Sequence, residues 1–196
     1  MKRLFDIVAS ACGLIVLSPL FIIVAIWIKL DSKGPVFYSQ TRVGRGNKDF
    51  RLLKFRSMHI GADKGPLVTI GSKDSRVTRS GYWLRQFKID ELPQLINVLI
   101  GDMSLVGPRP EVRQFVNHWT PEQMHVLDVR PGITDPASIK YSNENELLER
   151  AENPEDHYLN VIMQEKIRLS LEYAKKASFF YDMKLIFKTI GVILKK

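Results

Sequence analysis

From Leu4 to Leu30 the chain is almost wholly apolar, broken only by Asp6, Ser10, Ser18 and Lys29 among its polar residues. A run of that length crosses a bilayer as one helix. A cleaved leader is disfavoured: no small-residue cleavage site follows, and Trp27-Ile28-Lys29-Leu30 is wrong for one. Ser18-Pro19 stands near the middle of the run. Pro19 has no amide hydrogen to give the Ile15 carbonyl, so a bend is expected there, and Ser18 can satisfy part of what Pro19 leaves open. Lys2 and Arg3 precede the run and Lys29 and Lys33 close it, whereas a spanning helix usually carries its positive excess on one side. A kinked spanning helix and a helix that enters, bends and returns both remain open on these grounds.

After Pro35 the period changes. Val36–Gln40 and Phe50–Phe55 are short β-prone runs, and Gly44-Arg45-Gly46-Asn47 between them is turn chemistry, which predicts a hairpin. Met58 to Ser80 reads as an exposed loop. Asp90-Glu91-Leu92-Pro93 reads as a helix start capped by Asp90, with Leu92, Leu95, Ile96 and Leu99 on one buried face. Glu111–Val129 predicts an amphipathic helix interrupted at Thr120-Pro121, where Thr120 caps a second piece. Arg130–Thr134 reads as a turn, and Ser142–Asp156 as polar surface. Helical patterns cover Leu159–Ala177 and Phe179–Lys196, the second with Phe180, Met183, Phe187, Ile190 and Leu194 alternating with lysines. That pattern suits a membrane interface or a core helix with a solvated face.

The 196 residues suit one domain with a real core, and a net charge of +8 with pI near 9.6 points to an anionic partner. The single cysteine, Cys12, excludes an internal disulfide. The four histidines lack ligand spacing, and no phosphate loop or serine elbow is present. Nucleic acid is disfavoured, because aromatics and arginines form no stacking stripe. What remains is the stretch from Arg85 to Pro110, where Asp90 and Glu91 lie between Arg85 and Lys88 before and Arg109 after. One reading is that Asp90 merely caps a helix. The other is that a carboxylate among cations stays ionised and acts as a nucleophile or metal ligand. Beside a membrane segment this suits phosphoryl chemistry, with Mg²⁺ held by a carboxylate and substrate phosphates.

Six motifs carry a resemblance nearly end to end: Ser18-Pro19, Phe37-x-x-Gln40-x-Arg42-x-Gly44, Lys54-Phe55-Arg56-Ser57-Met58, Asp90-Glu91-Leu92-Pro93-Gln94, Gly107-Pro108-Arg109-Pro110 and Arg130-Pro131-Gly132-Ile133-Thr134. The chain resembles the bacterial sugar transferases, monotopic polyprenyl-phosphate phosphoglycosyl transferases, in their minimal catalytic form. The resemblance implies an α/β fold, mainly α. Residues 1–32 would form a re-entrant membrane helix, broken at Ser18-Pro19. Residues 33–196 would form a small cytoplasmic catalytic domain, with a β-hairpin and interfacial helices at the bacterial inner membrane and its phospholipid.

It implies transfer of a sugar-1-phosphate from a UDP-sugar to polyprenyl phosphate, releasing UMP and starting a membrane glycoconjugate. Asp90 would carry the covalent phosphosugar and ligate Mg²⁺, and Glu91 would assist through the metal or as proton acceptor. Arg85, Lys54 and Arg130 would engage phosphate oxygens, with Pro108 and Arg109 on the nucleotide side. Where many members continue Thr-Gly-Leu-Ala-Gln, this chain has Thr134-Asp135-Pro136-Ala137-Ser138, so Asp135 becomes a candidate reader of the sugar. A nucleotide-sugar or lipid-phosphate hydrolase and a non-catalytic basic membrane domain are the alternatives. Homodimerisation, the sugar and the pathway are left open.

Overall fold

The computed structural model describes residues 1–62 and 74–194. The centre of the loop expected over Met58–Ser80 lies outside the described residues. Helix α1, Lys2–Asp31, continues through Pro19, and Ser18 Oγ donates to the Ile15 carbonyl over 2.8 Å. The hydroxyl supplies the hydrogen bond that Pro19 cannot, as the sequence suggested. Length and composition let α1 cross a membrane, and Ile15, Val16, Ile22 and Ile23 face outward along its middle.

Both ends of α1 are fixed to the rest of the protein. Lys2 Nζ donates to the Val106 carbonyl (2.8 Å) and pairs with Asp182, and Arg3 donates to the carbonyls of Val98 (2.6 Å) and Leu99 (2.9 Å). Buried Asp6 accepts from Ser104 Oγ (2.9 Å) and Leu105 N (3.1 Å). At the other end, Asp31 accepts from the Ser80 amide (2.9 Å) and hydroxyl (2.8 Å). The buried Arg56 guanidinium caps the helix by donating to the carbonyls of Ser32 (2.8 Å) and Lys33. Four carbonyls at a helix C-terminus lack internal partners, and a buried cation there answers both needs.

The expected hairpin forms: β1, Phe37–Val43, pairs antiparallel with β2, Asp49–Phe55, Tyr38 standing opposite Lys54. The turn between them needs left-handed backbone at Gly46 (φ 66°) and Asn47 (φ 61°). Helix α2, Arg79–Gln86, is capped by Thr78 Oγ1, which accepts from Gly81 N over 2.9 Å. Its inward Leu84 packs with Val24, Ile28 and Phe55, tying α1, α2 and the hairpin together.

Asp90 does not cap a helix. Lys88 adopts a left-handed conformation (φ 59°), Ile89–Glu91 forms a 3₁₀ turn, and helix α3, Gln94–Ile100, begins only after Pro93. The turn closes by Glu91 N to Lys88 O (3.2 Å) and Leu92 N to Ile89 O (3.1 Å), bonds that leave both carboxylates free of capping work. Arg130–Thr134 is also more than a turn. Strand β3, Ser104–Val106, runs parallel to β4, Gly132–Thr134, forming a second two-stranded sheet. The chains approach so closely that a Cβ on Gly132 would stand 2.0 Å from Gly107 N, which is why both positions are glycine.

The amphipathic helix expected over Glu111–Val129 is instead two short pieces, α4 (Arg113–Val116) and a 3₁₀ turn (Gln123–Asp128). Val116 and Leu127 are buried together, whereas Val126 belongs to another cluster, so one straight helix could not serve both. The second piece starts from Glu122 rather than Thr120, although Thr120 Oγ1, two residues earlier, still accepts from Gln123 N (3.3 Å). The remaining helices are α5 (Pro136–Lys140), α6 (Glu144–Glu149), α7 (Pro154–His157), α8 (Met163–Lys176) after a π-helical turn at Tyr158–Ile162, and α9 (Phe179–Leu194). Within the stretch read as polar surface, α6 buries Leu148, 1% exposed. The protein is thus mainly helical with a small β component.

Candidate active site

Asn97 of α3 fixes the helix to the hairpin. Its side-chain oxygen accepts from Leu53 N (2.9 Å) and its nitrogen donates to the Arg51 carbonyl (2.8 Å). This docking sets the 3₁₀ turn ahead of α3 against β2, and Lys54 Nζ lies 3.0 Å from Glu91 Oε1. The β3–β4 pairing brings the Gly107–Pro110 loop to the same place: Gly107 N donates to Thr134 O and Gly132 N to Pro108 O, each over 3.0 Å. From that loop Arg109 forks onto Glu91, Nη2 to Oε1 at 2.5 Å and Nη1 to Oε2 at 3.2 Å. Such a two-point contact is the strongest form of this pairing.

The adjacent carboxylates therefore have opposite electrostatic fates. Burial would raise the Glu91 carboxyl, but Arg109 and Lys54 outweigh it and hold Glu91 well below the usual carboxylate range. For Asp90 burial wins. Its pKa is raised, with Lys54 opposing the shift and the Glu91 charge adding to it. The surrounding cations thus hold down the pKa of Glu91 more than that of Asp90. Asp90 Oδ1 is buried without a hydrogen-bond partner. Burial also lowers the Lys54 ammonium, against the pull of Glu91, and raises nothing in Arg109, which Glu91 holds firmly protonated.

The other residues singled out by sequence fall at varied positions. Arg85, in the last turn of α2, and Lys88 contribute charge that favours ionised Asp90. Pro108 is buried in the loop behind Arg109. Arg130 lies at the far end of α3, its Nε donating to the Gly101 carbonyl over 3.0 Å. Asp135 is 1% exposed: Oδ1 caps α5 through Ser138 N (2.8 Å) and Oδ2 is buried without a partner. Burial raises its pKa, with the Ser138 bonds and Arg109 opposing.

A family model for bacterial sugar transferases matches residues 1–196. The chain belongs to that family. An Aeromonas hydrophila protein named UDP-N-acetylgalactosamine-undecaprenyl-phosphate N-acetylgalactosaminephosphotransferase is 41% identical over 197 residues, covering 99% of this chain and 44% of its own length. A Komagataeibacter xylinus undecaprenyl-phosphate glucose phosphotransferase is 42% identical over 196 residues, covering 96% of this chain and 35% of its own. A Caulobacter vibrioides UDP-glucose:undecaprenyl-phosphate glucose-1-phosphate transferase is 37% identical over 197 residues, 98% of this chain and 69% of its own. The chain thus spans less than half the length of the first two relatives.

Arg42 is a site residue that the motif contained but no role was read for. It donates to Gln40 Oε1 (2.8 and 3.1 Å) and the Pro110 carbonyl (3.1 Å), and lies 3.6 Å from Glu111, so it secures the loop that presents Arg109. The signal was available: period two puts Tyr38, Gln40 and Arg42 on one strand face of the transferase. Among the described residues no group of three or more His, Cys, Asp or Glu could cage a metal by itself. Mg²⁺, however, is commonly held by one or two carboxylates together with substrate phosphates, and the unpartnered Asp90 Oδ1 fits that donor set.

Proposed function

We propose that this transferase moves a sugar-1-phosphate from a UDP-sugar to polyprenyl phosphate at the cytoplasmic face of the bacterial inner membrane, through a phosphosugar carried on Asp90. An ionised Asp90 oxygen attacks the β-phosphorus; the bond from that phosphorus to the oxygen bridging to the α-phosphate breaks, and UMP leaves with that oxygen. An oxygen of polyprenyl phosphate then attacks the same phosphorus, the Asp90–phosphorus bond breaks, and the carboxylate is restored as the sugar diphospholipid departs. The observation that carries this reading is the split within the carboxylate pair. Glu91 is committed to Lys54 and Arg109, while Asp90 keeps a buried oxygen with no partner.

In this reading Glu91 is less a proton acceptor than the anchor that holds Lys54 and Arg109 where phosphate charge will develop. Arg85 meets the diphosphate and Arg109, on the Pro108 loop, the nucleotide side. Asp90, with Glu91 beside it, would hold Mg²⁺, which would neutralise the diphosphate of the donor. Asp135, with one unpartnered oxygen near Arg109, reads a hydroxyl or amide of the donor. The relatives' names mention both N-acetylgalactosamine and glucose, so the sugar itself awaits a donor panel.

A re-entrant course for α1 is supported by its attachments. Lys2, Arg3 and Asp6 at one end and Asp31 at the other are all hydrogen-bonded to the same domain, which favours a course with both ends on one side of the bilayer.

The test is UMP release from a UDP-sugar panel with and without polyprenyl phosphate, and intact mass after donor alone. A phosphosugar adduct on Asp90 and lipid-dependent turnover are expected. Turnover undiminished without lipid would replace this reading with a hydrolase, and indifference to Asp90→Asn would leave only a binding domain.

A further inference from the structure

Helix α2 buries one face and leaves the other unusually aromatic. Tyr82, Trp83 and Phe87 are 43%, 46% and 44% exposed. The rings of Trp83 and Phe87 lie within 8° of parallel at 6.2 Å, and Tyr82 meets Trp83 edge-on at 5.4 Å. The buried face of α2 packs through Leu84 on Val24 and Ile28 of α1, and Asp31 holds its first turn. The aromatic face thus belongs to a helix packed on the C-terminal half of α1, the half that also exposes Ile23, Ile26 and Trp27.

The segment that follows these rings carries charge. Arg85 and Lys88 flank Phe87, both favour the ionised form of Asp90, and neither forms an ion pair among the described residues. The inner cations differ, since Lys54 and Arg109 are both occupied by Glu91. Two cations without an ion-pair partner among the described residues, acting on Asp90 and, for Arg85, on Asp74, adjoin an apolar aromatic strip on a helix packed against α1, and together they match one kind of molecule. It has a phosphate at one end and a long hydrocarbon at the other.

We propose that the outward face of α2 is the docking strip for the isoprenoid chain of the acceptor, with the acceptor phosphate received by Arg85 and Lys88. The inference rests on the acceptor being a polyprenyl phosphate, as argued above. A UDP-sugar has no apolar part to use this strip. The acceptor phosphate takes the place that the UMP phosphate vacates, and the first isoprene units lie across Phe87 and Trp83. Flat unsaturated units against ring faces bury apolar area on both partners.

The double variant Trp83→Ala/Phe87→Ala tests this in three assays on the full chain. The first is turnover with undecaprenyl phosphate and with a two-isoprene phosphate in mixed micelles. The second is exchange of labelled UMP into UDP-sugar without lipid, which reports the donor half-reaction alone. The third is flotation with phospholipid vesicles. The expected result is a KM for undecaprenyl phosphate raised about tenfold, with a smaller rise for the short acceptor, since losing contact area over two rings is a loss of that order. UMP exchange and flotation are expected to stay at wild-type levels, and Trp83→Phe should retain the low KM.

An unchanged KM for the long acceptor overturns the proposal. So does a matching fall in UMP exchange, which would make the rings supports of the site, or lost flotation, which would make them a bulk-membrane anchor. A change of oligomeric state in the variant would assign the strip to a second copy and overturn it equally. Wild-type protein that releases no UMP in a lipid-dependent manner would instead refute the proposed function, a result this variant cannot mimic.

Discussion

The side-chain nitrogen of Asn97 donates to the backbone carbonyl of Arg51 over 2.8 Å, fastening the helix behind the carboxylate pair to the inner strand of the hairpin. Asn97 is 1% exposed and its oxygen is used as well, by Leu53 N. Asn97→Ala leaves a part-buried donor and a part-buried acceptor of β2 unpaired. We expect a loss of about 2 kcal/mol, read as a fall of roughly 4–8 °C in melting temperature in detergent. Turnover should fall further than the folded fraction, because Lys54 is no longer held opposite Glu91.

Asp90→Asn and Glu91→Gln should separate the two carboxylates by stability. Under the proposed function Asp90→Asn forms no phosphosugar adduct, yet it removes a buried, unpartnered carboxylate, so the melting temperature is expected to hold or rise. Glu91→Gln leaves Lys54 and Arg109 without their counter-charge, a loss on the order of 3 kcal/mol for a buried pair. Thermal melts of the two variants side by side decide this. A lower melting temperature for Asp90→Asn than for Glu91→Gln would contradict the charge assignment.

Asp135→Asn keeps the cap on α5, because the amide oxygen can still accept from Ser138 N. Burial raises the Asp135 pKa, so its folded form favours the proton. Its contribution to stability is therefore full below the unfolded value of about 3.9 and is lost as pH rises through the folded pKa. The advantage of Asn over Asp should grow from acid towards neutral pH, measurable by chemical denaturation across that range.

The same variant addresses donor choice. If the free oxygen of Asp135 reads a donor hydroxyl or amide, the ratio of kcat/KM between UDP-N-acetylgalactosamine and UDP-glucose changes, whereas a purely structural effect lowers both together. A constant ratio in Asp135→Asn and Asp135→Gly removes the residue from substrate recognition.

The course of α1 can be mapped in a Cys12→Ser background with single cysteines placed ahead of Met1 and at Lys33. Membrane-impermeant maleimide should label both from the cytoplasmic side only. Labelling from opposite sides would make α1 a spanning helix.

The hairpin, the long apolar helix and the role of Ser18 were legible in the sequence because each is local: alternation, length, and a hydroxyl beside a proline. The parallel β3–β4 pairing was not, since its two three-residue strands have no period and depend on Gly107 and Gly132 meeting across 24 intervening residues. At the site, sequence placed Asp90, Glu91 and Arg109 together by motif. It did not show that the two carboxylates shift in opposite directions, because that turns on Arg109 and Lys54 both choosing Glu91, a matter of distances rather than neighbours in the chain. The fragmentation of the Glu111–Val129 helix was equally hidden, being imposed by two separate clusters that claim Val126 and Leu127.

Arg3 clasps the carbonyls of Val98 and Leu99, so the long apolar helix and the short helix behind the carboxylate pair are one mechanical unit. If α1 lies in the bilayer as proposed, the thickness and lateral pressure of that bilayer act on a lever whose short arm ends at Asp90. Turnover should follow acyl-chain length in reconstituted vesicles, even where every substrate is saturating.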